Sequence, residues 1–449
     1  MNPPKPEARP DKVSLWQYMR LFRRDILSAQ PARLYRAWMA EFRTPFFRSY
    51  LINQPELVKT LLKQRPDDFP KSDRISEGLR PLLGNSVFLT NGETWKKQRR
   101  IIDPAFEGGR LKDIFPAMSE AADAAVERLG ERTGDRVEIE QETSHVAADV
   151  IFRTLFSIPI EHRIAQQVFA EFRAFQRTQP ILNLAALVPL PRWLPRPFSR
   201  KTTRAARAIR ALITQMVAER ADLIDKGTAP DDLATKIMTT RDPETGELFS
   251  VDEMVDQVAI FFLAGHETSA SAIAWSLYLL ALYPEWQDRL AQEASQSEVR
   301  DFAALSKLQL TRDVFREALR LYPPVPMMVR ESACREKFRD RDIKKGAQLV
   351  ISPWHLHRQE RLWDDPHGFD PTRWKTENGK QCQRDAYIPF SSGSRACPGS
   401  GFAMVEGVLI LSKLLRAFRL ERVEGRDPVP VAHLTVRAKD GIWLKVTPR

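Results

Sequence analysis

Ten residues near the C-terminus, Phe390-Ser-Ser-Gly-Ser-Arg-Ala-Cys-Pro-Gly399, bring a thiol, a guanidinium and two glycines together at a spacing that suits a ligand. The chain has three cysteines, Cys334, Cys382 and Cys397, too few and too scattered for a disulfide framework or a four-cysteine zinc site. A single thiol is most often a small buried hydrophobe. Cys397 has different company. Gly393 and Gly399 bracket it and can take left-handed backbone angles, so a tight loop can wrap the sulfur. Downstream, Phe402, Ala403, Val405, Val408, Leu409, Leu411, Leu414 and Leu415 recur at helical spacing, which puts Cys397 and Pro398 just before a buried helix. The positive end of that helix and Arg395 are both expected to lower the thiol pKa. A thiolate placed so can serve a soft or borderline metal, haem iron among them.

Three further constellations carry possible chemistry. Trp95 and Arg99 lie one turn apart on the start of a helix, so an indole N–H and a guanidinium can reach one carboxylate; alone, such a pair is more often packing plus a solvated charge. Ala264-Gly265-His266-Glu267-Thr268-Ser269 falls within the longest helical pattern, Val251 to Tyr283. There Ile260, Ala264, Glu267, Thr268 and Ser271 share an arc of about 100° that is mostly small or polar with one acid. Gly265 beside hydroxyl residues permits a local kink and a freed carbonyl, a place for dioxygen, whereas His266 points elsewhere and reads as structural. Glu317 and Arg320 pair at i and i+3, and Arg373 of Phe369-Asp-Pro-Thr-Arg373 offers a second guanidinium.

The run Phe390, Gly393, Arg395, Cys397, Gly399 resembles, position for position, the haem-ligand signature of the haem-thiolate monooxygenases, the cytochrome P-450 family. The other motifs fall where that family has them, and the resemblance covers roughly residues 40 to 449. It implies a mainly α fold with small β-sheets and a haem b whose iron is held by Cys397. Phe390, Gly399 and Ala264 would line the cofactor, with Trp95, Arg99, Arg330 and Arg395 toward its propionates. Thr268 and Glu267 would be the catalytic alcohol and acid that supply protons to dioxygen. Glu317, Arg320 and Arg373 would brace the haem-binding loop. Val87, Ile260, Leu263 and Val325 would form an apolar substrate pocket, with Tyr322-Pro-Pro-Val-Pro326 passing over the haem. The implied reaction is insertion of one oxygen atom of O2 into a fatty acid, terpenoid or steroid-like molecule, and the stretch from Asn91 to Phe106 looks like the fatty-acid-hydroxylating branch. The rival readings are a peroxygenase, which would lack the acid–alcohol pair, and a non-enzymatic gas sensor.

The elements that must position these residues are read from patterning. In 449 residues no Gly/Ser-rich linker, repeat or low-complexity run divides the chain, so one domain is expected over 1–449 with 1–40 as an N-terminal extension. Residues 14–42 mix apolar and basic side chains, including Arg20, Arg23 and Arg24, and read as a first helix packed on the domain with membrane-surface contact as the alternative. A strand is expected over 48–52, a helix over 55–63, and short strands over 335–352 and 421–447. The proline-interrupted apolar stretch 180–195 resembles the flexible cover of a substrate channel. No stretch reaches the roughly 18 to 20 apolar residues of a spanning helix, and a cytoplasmic, soluble bacterial type is expected. The net charge of +11 comes without a nucleic-acid motif. With no flavin or iron–sulfur domain in view, electrons are expected from an acidic ferredoxin- or flavodoxin-type donor with its reductase. Lys96, Lys97, Arg100 and Arg384 are its expected docking patch.

Overall fold

A computed structural model describes residues 2–43, 48–178, 198–297 and 299–449, and of Ile75 the backbone alone. The expected channel cover at 180–195 lies outside the described residues. The molecule is a helical body with small sheets at its margin, as the resemblance implied. At its centre runs the helix Val251–Leu282, begun by a reciprocal cap in which the Ser250 hydroxyl accepts from Glu253 N and the Glu253 carboxylate accepts from Ser250 N. Nearly every residue from Met254 to Ala281 is buried, because this helix is apolar all round and other helices enclose it. Ile139–Phe156 packs along one side, with the Phe152 and Phe262 rings 4.6 Å apart. Gln309–Leu321 and Ser400–Ala417 close the other, and Trp275 stacks on Tyr322 at 4.0 Å.

Gly265 has a different reason from the kink expected of it. A Cβ there would meet Ile151 Cδ1 at 2.4 Å, so the glycine lets the central helix and Ile139–Phe156 approach closely. Residues 55–63 form a helix that runs as Pro55–Lys59 and continues as a wider turn over Thr60–Gln64.

Among the described residues there are eleven strands: β1 Met39–Arg43, β2 Arg48–Ile52, β3 Arg136–Glu138, β4 Met328–Glu331, β5 Glu336–Phe338, β6 Arg341–Ile343, β7 Gln348–Ile351, β8 Phe418–Arg422, β9 Pro430–Ala432, β10 Val436–Ala438 and β11 Trp443–Pro448. The four-stranded sheet runs β1-β2-β7-β4, with β2 and β7 parallel and the other pairs antiparallel. Its register sets Arg330 opposite Leu349, which turns the guanidinium into the body. The hairpin β9–β10 packs on the central helix, where Ser271 Oγ donates to Val436 O at 2.5 Å.

The N-terminal residues lie against this body: the Tyr322 hydroxyl donates to Pro4 O at 2.8 Å, and Arg9 Nε donates to Ala29 O at 2.6 Å. The amphipathic segment forms a helix, Leu15–Arg24, with none of its residues fully buried. Among the described residues no helix is long and apolar enough to cross a membrane.

Candidate functional site

The loop Phe390–Gly399 is built by backbone bonds. Cys397 N donates to Phe390 O at 2.9 Å and Ala396 N to Gly393 O at 3.1 Å. Gly393 sits at φ 74°, and a Cβ there would meet Leu62 O at 1.9 Å, so no other residue fits that turn. Ala403 N donates to Gly399 O at 2.9 Å, which starts the helix Ser400–Ala417 directly behind the thiol. Cys397 is exposed, yet burial among protein atoms pushes its pKa up; both hold if the sulfur faces an enclosed space within the fold rather than bulk water. The Gly399 amide and the Arg99 charge pull the other way. Arg395 does not act on the sulfur as expected, since its side chain turns away to Asn91 Oδ1, 2.8 Å from Nη1. Arg99 takes that place because it spans to the loop, with Nη1 donating to Ala396 O at 2.7 Å and Nε to Asp103 Oδ1 at 2.6 Å.

Around the Trp95 ring gather four cations from four segments. Arg395 lies 4.5 Å from its centroid, Lys71 5.8 Å and Arg99 5.9 Å, and Arg330 pairs with Lys71 through an antiparallel backbone bridge. Burial holds Arg330 down to about 10, with Arg395 adding to the effect. Lys71 is pushed well below the usual ammonium range by burial and then by Arg395, Arg330 and Arg99. Against them stand Asp103, paired with Arg99, and Asp67, 3.9 Å from Arg395 and largely in solvent. The Nε atoms of both Arg330 and Arg395 are buried without a partner. Cations gathered in this way, two of them with a buried nitrogen left unpaired, suit an anion between them. Lys71 was not foreseen. It stands in an irregular stretch between Pro70 and Ser72, where no periodicity marks it.

Ala264 is exposed in the middle of an otherwise buried helix. Thr268 Oγ1 donates to Ala264 O at 2.5 Å, so the hydroxyl sits at the same opening. An exposed Cys397 and guanidinium groups short of partners fit a dianionic macrocycle whose metal a thiolate would hold, the chemistry of the haem that the sequence implied. Phe390 lies half-buried at the start of the loop. Val87, Ile260 and Leu263 are buried and Val325 is half-buried, all of them apolar. Val87 is fixed by its backbone, its N donating to Gln257 Oε1 at 2.9 Å and its O accepting from Lys71 Nζ at 2.6 Å. A surface cleft of about 540 Å³ beside Lys413 lies elsewhere, roughly three to five turns down the helix that follows Cys397.

Glu267 is buried, but its carboxylate does not turn to Thr268. Oε1 accepts from Arg437 Nη2 at 2.6 Å and from Thr435 Oγ1 at 3.1 Å. Burial raises its pKa and Arg437 opposes the rise. His266 bonds Ser144 Oγ through Nε2 at 2.7 Å and is held at about 3 by burial, a neutral packing residue as expected.

The Glu317 network is complete. Glu317 Oε1 accepts from Arg320 Nη2 at 2.8 Å, from Arg373 Nε at 2.9 Å and from Asp370 N at 3.1 Å. Arg320 also donates to the carbonyls of His357, Pro366 and Gly368. His357 in turn accepts Ile388 N through Nε2 at 2.9 Å, two residues before Phe390. With a pKa of about 3, the result of burial, His357 is neutral and free to accept.

The expected basic docking patch is not a free one. Lys97 pairs with Glu247 at 2.7 Å and Arg100 with Asp242 at 2.6 Å, because the helix Gly92–Ile102 lies beside the turn 240–247, and Lys96 pairs with Glu93 of its own helix at 2.8 Å. Spacing on one helix gave no sign of acids supplied by another segment.

Residues 38–446 match the profile of the family described as Cytochrome P450. The chain is 32% identical over 417 residues to a cyclooctat-9-en-7-ol 5-monooxygenase of Streptomyces melanosporofaciens, covering 91% of this chain and 87% of that one. It is 30% identical over 405 residues to a cytokinin hydroxylase of Arabidopsis thaliana, covering 88% and 78%. With Cytochrome P450 4A11 of Homo sapiens it shares 30% identity over 422 residues, covering 87% and 78%.

Proposed function

The chain belongs to the cytochrome P450 family and is a monooxygenase of the haem-thiolate type, and on that premise we propose that it inserts one atom of dioxygen into an apolar small molecule, of the cyclic alkenol kind named for its Streptomyces relative, at a haem b held by Cys397. What supports this reading is the exposed Cys397 in a loop whose Arg395 meets Lys71 at the Trp95 ring and, like Arg330, keeps a buried Nε without a partner.

Bound there, the haem supplies the oxygen-activating redox chemistry. The protein supplies position, charge and protons. Cys397 would hold the iron as thiolate, with the Gly399 amide and the Arg99 charge opposing the rise that burial causes. Lys71, Arg330 and Arg395 would hold the propionates. Ile260, Leu263 and Val87, buried, and Val325, half-buried, would supply the apolar side chains of a pocket for an apolar substrate. Thr268 swings its hydroxyl from the Ala264 carbonyl to hold and direct a proton at the oxygen-binding side, and Glu267 refills it. Glu317, Arg320 and Arg373 fix the segment leading into the cysteine loop. Electrons would come from a ferredoxin- or flavodoxin-type donor with its reductase. A single domain in the cytoplasm accords with three thiols that all stay unpaired.

The reduced carbon monoxide complex tests this. Wild-type protein should show the strongly red-shifted absorption of a thiolate-ligated haem, and Cys397→His should abolish it while haem is still bound. Persistence of the band in the variant would remove Cys397 from the site. A panel of terpenoid alcohols and fatty acids, scored by displacement of the iron's water ligand in the absorption spectrum, identifies the substrate class.

A further inference from the structure

Two buried polar side chains beside Val87 keep hydrogen-bonding capacity that the fold does not use. Gln257 is fully buried on the central helix, and its Oε1 accepts from Val87 N at 2.9 Å. That bond fixes which way round the amide lies, so its other end is the Nε2 donor, and this has no partner among the described residues. Ser86 is equally buried. Its N donates to Leu83 O and its carbonyl accepts from Leu89 N and Thr90 N, but its Oγ bonds nothing among the described residues.

The loop carrying Ser86 and Val87 is pinned at this place. Asp256, one residue before Gln257, accepts from Asn85 N at 2.7 Å and pairs with Arg210 at 2.7 Å, while Val87 O accepts from Lys71 Nζ at 2.6 Å. Helical geometry relates Gln257 to the rest of the site. At about 100° per residue, Gln257, Ile260, Ala264 and Thr268 fall within an arc of about 80° on one face of the helix. Ala264 is the exposed position of that face, and a rise of 1.5 Å per residue puts Gln257 about 10 Å along the axis from it. A buried amide donor thus stands two turns from the opening, on the face that carries Ile260 and beside Val87. Binding pockets combine apolar walls with a few placed polar groups, and a buried donor without a partner is costly unless a ligand or a water meets it.

We propose that Gln257 Nε2 and Ser86 Oγ are a specificity-determining pair, which holds the hydroxyl or carbonyl oxygen of an otherwise apolar substrate. The proposal rests on the monooxygenase reading above and narrows its substrates to alcohols and ketones over plain hydrocarbons. The amide donates to the substrate oxygen, and the serine hydroxyl accepts from an alcohol or donates to a ketone. Neither residue takes part in the oxidation.

The test uses the full haem-loaded chain with Ser86→Ala, Ser86→Thr and Gln257→Met. The probes are two matched pairs of similar size, menthol with menthyl chloride and 1-octanol with 1-chlorooctane. Equilibrium dialysis gives the ratio of alcohol to chloride affinity within each pair. Wild type should prefer the alcohol in at least one pair, and Ser86→Ala and Gln257→Met should each lower that ratio by about two- to tenfold, the worth of one hydrogen bond, while Ser86→Thr keeps it. The Ser86 hydroxyl makes no bond within the fold, so Ser86→Ala should keep the wild-type Tm and its change of ratio is then a change in recognition. A ratio unchanged in both variants, as a buried water on the two groups would give, overturns the proposal, and so does a wild type that prefers the alcohol in neither pair. Dialysis reads binding without turnover. An unchanged ratio in protein with a normal carbon monoxide spectrum therefore removes the recognition pair alone and leaves the monooxygenase reading standing.

Discussion

Thr268 is placed by its own helix: its hydroxyl donates to the Ala264 carbonyl four residues back, a bond that a side chain in a helix interior makes readily and can give up readily. Removing the hydroxyl leaves oxygen poorly protonated at the site. Thr268→Ala is therefore expected to lower product formed per electron consumed by roughly tenfold or more, with hydrogen peroxide accounting for the difference, and Thr268→Ser to recover much of it. Equal coupling in Thr268→Ala and wild type, measured by oxygen uptake against product, would take Thr268 out of the mechanism. Arg99 and Arg395 show how a single residue can be right in type and differ in target. Both were legible as cations near the cysteine, but Arg395 lies toward Trp95 and Asn91 while Arg99 reaches the loop.

At the scale of elements, the helix Ser400–Ala417 is clamped between its neighbours. Gly407 lets the Phe315 ring approach, since a Cβ there would meet it at 2.3 Å. On the same helix Glu406 is fully buried, accepts from Ser269 Oγ at 2.5 Å through Oε2 and leaves Oε1 without a partner. Burial raises its pKa to about 8. An unfolded glutamate titrates near about 4.3, so the stability this carboxyl contributes is whole below that pH and is lost as pH rises toward 8. Glu406→Gln, which keeps an acceptor for Ser269 and cannot ionise, should match wild type in Tm near pH 4.5 and exceed it near pH 9. Parallel Tm curves for the two proteins across that range would show that the acid is already solvated or paired. Periodicity predicted this helix from its leucines and valines, but an acid between Val405 and Gly407 reads on a wheel as one polar position and says nothing of its burial.

Across the whole molecule, the Glu317 network ties the helix Gln309–Leu321 to the segment 357–373 and, through His357 and Ile388, to the cysteine loop. Glu317 and Arg320 have fully buried side chains, so neither can turn to water if a partner is lost. Arg373→Met should cost about 3–5 kcal/mol in denaturant unfolding, the range for breaking a buried pair, and should also weaken haem retention, because the loop behind it loses its brace. A variant that unfolds at the wild-type denaturant concentration and retains haem would show that Arg320 alone suffices. The body also absorbs charge that a linear reading leaves free: of the basic residues expected to greet an electron donor, Lys97 and Arg100 are matched by acids of the turn 240–247.

The residues themselves determined what depends on short range. The cysteine loop with its glycines, the helix behind it, the Ala264–Thr268 turn and the Glu317–Arg320 spacing all follow from backbone sterics and from angles of about 100° per residue. Tertiary packing alone decided which distant segment meets each of these. Lys71 from an irregular stretch meets Trp95, and Arg437 from a C-terminal hairpin meets Glu267, because the fold carries them there. A charge's partner is set by distance in space, and residues 267 and 437 are brought to 2.6 Å by the fold, with no trace of that in their order along the chain.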